Sequence, residues 1–166
     1  MTITPETVAF AIMSVLVLGG GLGVVSSRNL IHAALYLALT LFGVAGLFVL
    51  LEAPFLAAVQ VLVYLGAIAV LVTITIMVTR RLMGITENVN RQWPVAALIA
   101  VLATAILGFV VVSQFAGIYP TQAVPPDTIE RMGQSFASHQ GFLLPFEVAS
   151  VLLLAAMIGA IVVARD

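Results

Sequence analysis

Residues 54–81, PFLAAVQVLVYLGAIAVLVTITIMVTRR, constrain this chain more than any other stretch. From Phe55 to Thr79 only Gln60, Tyr64 and a few threonines interrupt the apolar run. A helix of about 20 such residues crosses the hydrocarbon of a bilayer, so the segment is expected to span one. It stops at Arg80–Arg81, a pair that holds one end at a cytoplasmic surface. Gln60 and Tyr64 are four apart and share one face of an α-helix. Gly66 falls near the middle. A span that only filled space in lipid needs neither a polar stripe nor a central glycine. This helix is therefore expected to be the working part, with the other spans as its setting.

Composition agrees with a membrane chain. Hydrophobic residues make up 63% and charged residues 8%, against about 25% charged in soluble domains. A basic excess is absent, which argues against a nucleic-acid partner. Cysteine is absent too, which excludes disulfides and thiolate-held clusters in this chain. His32 and His139 have no metal-ligand spacing. The residues before the first apolar stretch carry an acid and no base, so that stretch is expected to be a mature span and not a signal peptide.

The expected architecture is all-α: one membrane domain over 1–166 with five transmembrane helices, at about 8–25, 31–51, 55–79, 93–115 and 142–164, and an outer loop at 117–141. Pro5 and Glu6 suit the start of the first helix. Gly19 and Gly23 form a small-xxx-small pair, read either as a close packing face or as a frayed helix end. His32 and Tyr36 open the second span, where contacts with headgroups or neighbours explain them as well as any functional role. Trp93 and Pro94 open the fourth span, with the tryptophan at the interface. Ile129, Met132 and Phe136 recur at i, i+3 and i+7, read as a short amphipathic surface helix or a plain loop. With the N-terminus outside, Arg28, Arg80, Arg81, Arg91 and Arg165 face the cytoplasm and Arg131 faces out, five against one. The positive-inside rule therefore favours N-out, C-in.

Few groups can carry chemistry. The sequence has no nucleophile–base pairing and no Gly-rich phosphate loop. Glu147 is the one acid inside an apolar stretch. It is read either as a dipole-complementing residue at a helix start after Pro145, or as a proton-carrying site. Gly66 is read as a packing glycine or as a flexible point, because the helix beyond it is dense in β-branched residues. Three weakly polar positions and one peripheral acid cannot make a proton path across a membrane, so neighbouring chains must supply the other groups.

Three segments resemble one family. Residues 29–37, NLIHAALYL, are similar to the start of the second span of subunit J of bacterial NADH:quinone oxidoreductase, respiratory complex I, the counterpart of mitochondrial NADH dehydrogenase subunit 6. Residues 58–71, AVQVLVYLGAIAVL, resemble its third span, and residues 143–163 its fifth. The resemblance implies a non-catalytic, cofactor-free membrane-arm subunit of a proton-translocating translocase in the inner (plasma) membrane of a bacterium. FMN, iron–sulfur clusters and quinone would then reside in other subunits. The implied partners are subunits H, A and K, the antiporter-like subunits and the lipid bilayer. The resemblance also implies a π-bulge near Tyr64 and Gly66, whose conversion to α-helix couples quinone chemistry to pumping. Some members carry glutamate where this chain has Gln60, so a titratable carboxylate there does not carry over. The rivals are the same subunit of an oxidoreductase with another electron donor, and that of a multisubunit cation/proton antiporter.

Overall fold

A computed structural model describes residues 4–79, 92–117 and 124–165. All regular structure among the described residues is helical. Five helical stretches have the length and apolarity to cross a membrane: Pro5–Ser26, Leu30–Leu50, Pro54–Thr79, Trp93–Phe115 and Leu143–Ala164. The expected five-span, all-α fold is the fold observed. Arg80, Arg81 and Arg91, which carry most of the orientation argument, lie outside the described residues. By contacts the chain falls into two compact units, Met1–Pro120 and Thr121–Asp166.

In the first unit, α1 (Pro5–Ser26) begins where local chemistry dictates. The Thr4 hydroxyl oxygen accepts the Thr7 N–H at 3.4 Å, and Pro5 occupies the first turn, where its missing N–H costs nothing. The helix therefore starts a little before the apolar run itself. It ends at Ser26, with the Ser27 N–H on the Gly23 carbonyl at 3.0 Å. Asn29 then caps α2 (Leu30–Leu50), its Oδ1 accepting the Ile31 N–H at 3.0 Å.

The hairpin of α1 and α2 is held by close approach, because lipid supplies no hydrophobic force between helices. A Cβ at Gly20 would strike the Thr40 hydroxyl and lie 3.2 Å from both the Thr40 nitrogen and the Tyr36 carbonyl. One at Gly43 would come within 2.8 Å of the Val17 side chain, and one at Gly46 would strike the Met13 sulfur. At Gly23 the Tyr36 ring occupies the space. The packing pair is thus Gly20 and Gly23. Gly19, one of the pair read either as a packing face or as a frayed end, has no neighbour at its Cβ position among the described residues.

The other side of α2 packs on the third span, which comprises α3 (Pro54–Val59), a π-helical segment (Gln60–Ala69) and α4 (Val70–Thr79). The turn between them is tight. The Glu52 N–H bonds the Val49 carbonyl at 3.1 Å and the Ala53 N–H bonds the Phe48 carbonyl at 3.0 Å. This is a Schellman arrangement, and its left-handed position is filled by Glu52 at φ 54°. Glycine favours that conformation; a side chain there costs about 1 kcal/mol. Glu52→Gly should therefore stabilise the fold by up to about 1 kcal/mol, read as a raised melting temperature of the purified assembly. A lowered value would mean that the carboxylate contributes more than the strain costs.

The fourth span, α5 (Trp93–Phe115), has Pro94 in its first turn and no buried residue. The second unit contains α6 (Thr128–Ala137) and α7 (Leu143–Ala164). The short surface segment is thus a helix and not a plain loop. It is tied to α7 by the Phe142 N–H on the Ser135 carbonyl at 2.8 Å. A Cβ at Gly141 would strike that same carbonyl, so the turn requires glycine.

Candidate functional site

The third span does not present one continuous α-helical face. Ala57, Gln60 and Ala69 are buried, and Leu65, Val72, Thr73 and Ile76 are partly buried. Along Ala57, Gln60, Leu65, Ala69, Val72 and Ile76 the steps are three or four residues, except that from Gln60 to Leu65, which is five. Val61 to Tyr64 are all exposed. An α-helix starting from Gln60 would bring Val63 or Tyr64 back to the packed face, since it turns once in 3.6 residues. The π-helical segment, with its i→i+5 bonding, takes one residue more per turn and brings back Leu65 instead. At its far end the Val70 N–H bonds the Ala67 carbonyl, a tighter turn that returns the chain to α-helix.

Gln60, Tyr64 and Gly66 all lie in this segment. The shared face expected of Gln60 and Tyr64 is divided. Gln60 is 7% exposed and its Nε2 donates to the Leu41 carbonyl of α2 at 3.4 Å, while Tyr64 is 47% exposed. A polar side chain buried in an apolar setting needs a partner, and Leu41 supplies one across the helix pair. At Gly66 a Cβ would stand 3.2 Å from the Val61 carbonyl five residues back, and nothing else crowds it. Close packing against another helix is therefore not what this glycine serves among the described residues.

The threonines of the span are accounted for within it. Thr73 donates to the Ala69 carbonyl at 2.7 Å, Thr75 to Leu71 at 2.8 Å and Thr79 to Thr75 at 2.8 Å. Each hydroxyl is satisfied by its own helix.

His32 and Tyr36 come together elsewhere in the unit. With Gly23, Ser26 and Ser27 they line an open pocket of about 300 Å³ at the polar turn between α1 and α2. Glu147 belongs to the second unit. It lies in the second turn of α7, two residues past Pro145, with its side chain exposed and its carbonyl accepting the Ser150 hydroxyl at 2.7 Å.

Several positions escape sequence reasoning. Leu65 is an ordinary leucine until the wide turn puts it on the packed face. Leu41 contributes only a carbonyl. Glu52 carries no sign of its left-handed backbone beyond the proline two residues on.

These features define a multi-pass, all-helical membrane protein whose third span is interrupted by a π-helical segment. Residues 20–163 match the family described as NADH-ubiquinone/plastoquinone oxidoreductase chain 6, and the chain belongs to that family of oxidoreductase subunits. It is similar to F(420)H(2) dehydrogenase subunit J of Methanosarcina mazei, 38% identical over 96% of this chain and 91% of the relative. It is likewise similar to NAD(P)H-quinone oxidoreductase chain 6 of Synechocystis sp., 38% identical over 96% of this chain and 81% of the relative. The matching chain of Nostoc sp. is 36% identical, over 96% and 79% respectively.

Proposed function

We propose that this chain is the cofactor-free membrane subunit that helps couple quinone reduction to proton translocation in a complex I-like enzyme, through a change of register in its third span. The observation that carries the proposal is the π-helical segment Gln60–Ala69 at mid-span, with Gln60 held on α2 at its start and Tyr64 turned away from α2. Relaxing one wide turn to α-helix would rotate every later residue by about 100°. That brings Tyr64 toward α2 in place of Leu65 and exchanges backbone partners in the membrane, where unpaired groups are expensive. The groups that carry protons lie on neighbouring subunits, among them those resembling H, A and K and the antiporter-like chains. FMN, iron–sulfur clusters and quinone belong to other chains of the assembly. A bacterial plasma membrane is the proposed location.

A second reading keeps the mechanism and changes the electron donor. The relative named for F(420)H(2) and the one named for NAD(P)H are equally identical to this chain, so similarity does not choose between donors. Purification by a tag on this chain tests both. Flavin and iron–sulfur proteins should accompany it, and oxidation of NADH or of reduced F420 by the preparation decides the donor. An assembly without redox proteins would point to an antiporter and sink both readings.

Two further outcomes follow. Single cysteines at Thr2, Asn88 and Ser135, probed with an impermeant thiol reagent on intact cells, should label at the first and third positions and not at the second. The reverse pattern would overturn the N-out, C-in orientation. Glu147→Gln should retain most electron transfer and pumping, because the residue lies near a helix start and exposed. A normally assembled Gln variant that no longer pumps would make Glu147 a proton carrier.

A further inference from the structure

Three phenylalanines meet where α6 turns into α7. The Phe136 ring centroid lies 6.4 Å from that of Phe142 and 6.2 Å from that of Phe146, with the rings tilted by 54° and 39°. These are favourable aromatic separations. The cluster is nevertheless open: Phe142 is 59% and Phe146 58% exposed, and Ile129 of α6 is 54% exposed. At 100° per residue Ile129, Met132 and Phe136 fall in one arc of α6 about 60° wide. The opposite arc is polar and internally paired. Arg131 Nε donates to Asp127 Oδ2 at 2.7 Å, and Gln134 Nε2 to Glu130 Oε1 at 3.2 Å.

The depth of this cluster is set by α7. Phe142 precedes that helix and Phe146 lies in its first turn. Their rings therefore sit where a 22-residue apolar helix enters the bilayer. The turn that fastens α6 to them has little freedom. The Phe142 N–H holds the Ser135 carbonyl, the Gly141 N–H holds the Ser138 carbonyl at 3.0 Å, and position 141 admits no Cβ. The apolar arc of α6 is thus carried to the same level as the start of α7. An apolar arc backed by a self-paired polar arc is what the headgroup–acyl boundary accepts. The Arg131–Asp127 pair cancels within this arc and leaves one uncompensated charge, on Glu130, which gives a protein partner little to read.

We propose that α6 and the Phe136–Phe142–Phe146 cluster form an interfacial anchor that lies in phospholipid and fixes the depth at which α7 enters the membrane. The test places a photoreactive benzophenone amino acid at Ile129, or at Gln134 on the polar arc, and illuminates native membranes. Position 129 should attach phospholipid on the order of tenfold more than position 134, in line with burial of a large apolar side chain. Gly141→Ala, which breaks the turn, should cut the lipid adduct at 129. Phe136→Ser should do the same, and serves where the alanine variant fails to accumulate. Attachment of position 129 to another protein, or equal lipid adduct from both positions, overturns the anchor. An adduct at 129 unchanged in the variant that does accumulate overturns the role of the turn and cluster.

Discussion

Gly66→Val should leave the assembly intact while quinone reduction and proton pumping fall together, by about tenfold. The Cβ would press on the Val61 carbonyl at 3.2 Å in the π register, and the branched side chain adds its own restriction. No other helix among the described residues is crowded at that site, so the fold of this chain should survive the substitution. A bias of about 1.4 kcal/mol between two registers is enough to depopulate one of them tenfold. Gly66→Ala should act in the same direction and more weakly. Tyr64→Phe keeps the ring and removes the hydroxyl, and should weaken pumping more than assembly. The measurements are quinone turnover, membrane potential in reconstituted vesicles and subunit content on a native gel. Full pumping by a well-assembled Gly66→Val preparation would leave the wide turn as a static feature of the fold.

Gly20→Val should do the opposite: assembly itself should fail. Its Cβ would meet the backbone of α2 at two atoms, and the Thr40 hydroxyl that it strikes is already committed to the Tyr36 carbonyl at 2.9 Å. Backbone cannot move aside as a flexible side chain can. Overpacking of this kind costs about 1–3 kcal/mol, so the level of assembled protein should drop on the order of tenfold. Gly19→Val, one residue earlier and without a neighbour among the described residues, serves as the control and should leave the α1–α2 hairpin intact. Equal behaviour of the two would mean that α1 and α2 do not approach each other at Gly20.

The contrast between these neighbouring glycines shows where sequence reasoning stops. Spans are legible because hydropathy sums over some twenty positions, and every one of those sums is large. The α6 helix is legible only as one of two readings, because Ile129, Met132 and Phe136 mark a helical period over too few turns to exclude a loop. Within Gly19–Gly23 there is almost no side chain to mark a face, so spacing selects Gly19 as readily as Gly20. Gln60 is legible as a polar residue in lipid, but its acceptor on Leu41 is a main-chain carbonyl, which every residue possesses. The wide turn follows from backbone bonding around Val61, Leu62 and Val63, exposed apolar residues whose side chains carry no sign of it. Family resemblance directs attention to that place, whereas the pattern of buried positions counts the extra residue.

The step of five from Gln60 to Leu65 has a genetic corollary. Upstream of it, Ala57 and Gln60 keep an α-helical spacing; downstream, Leu65, Ala69, Val72 and Ile76 do the same. The third span is therefore spaced as an ordinary helix with one extra residue between Gln60 and Leu65. Removing any one residue between Val61 and Tyr64 would leave both halves facing α2 as they do now, joined by regular i→i−4 bonds. Such a deletion would cost the span nothing in coverage of its neighbour. What it would remove is the slack of one peptide unit, the feature on which the proposed change of register depends.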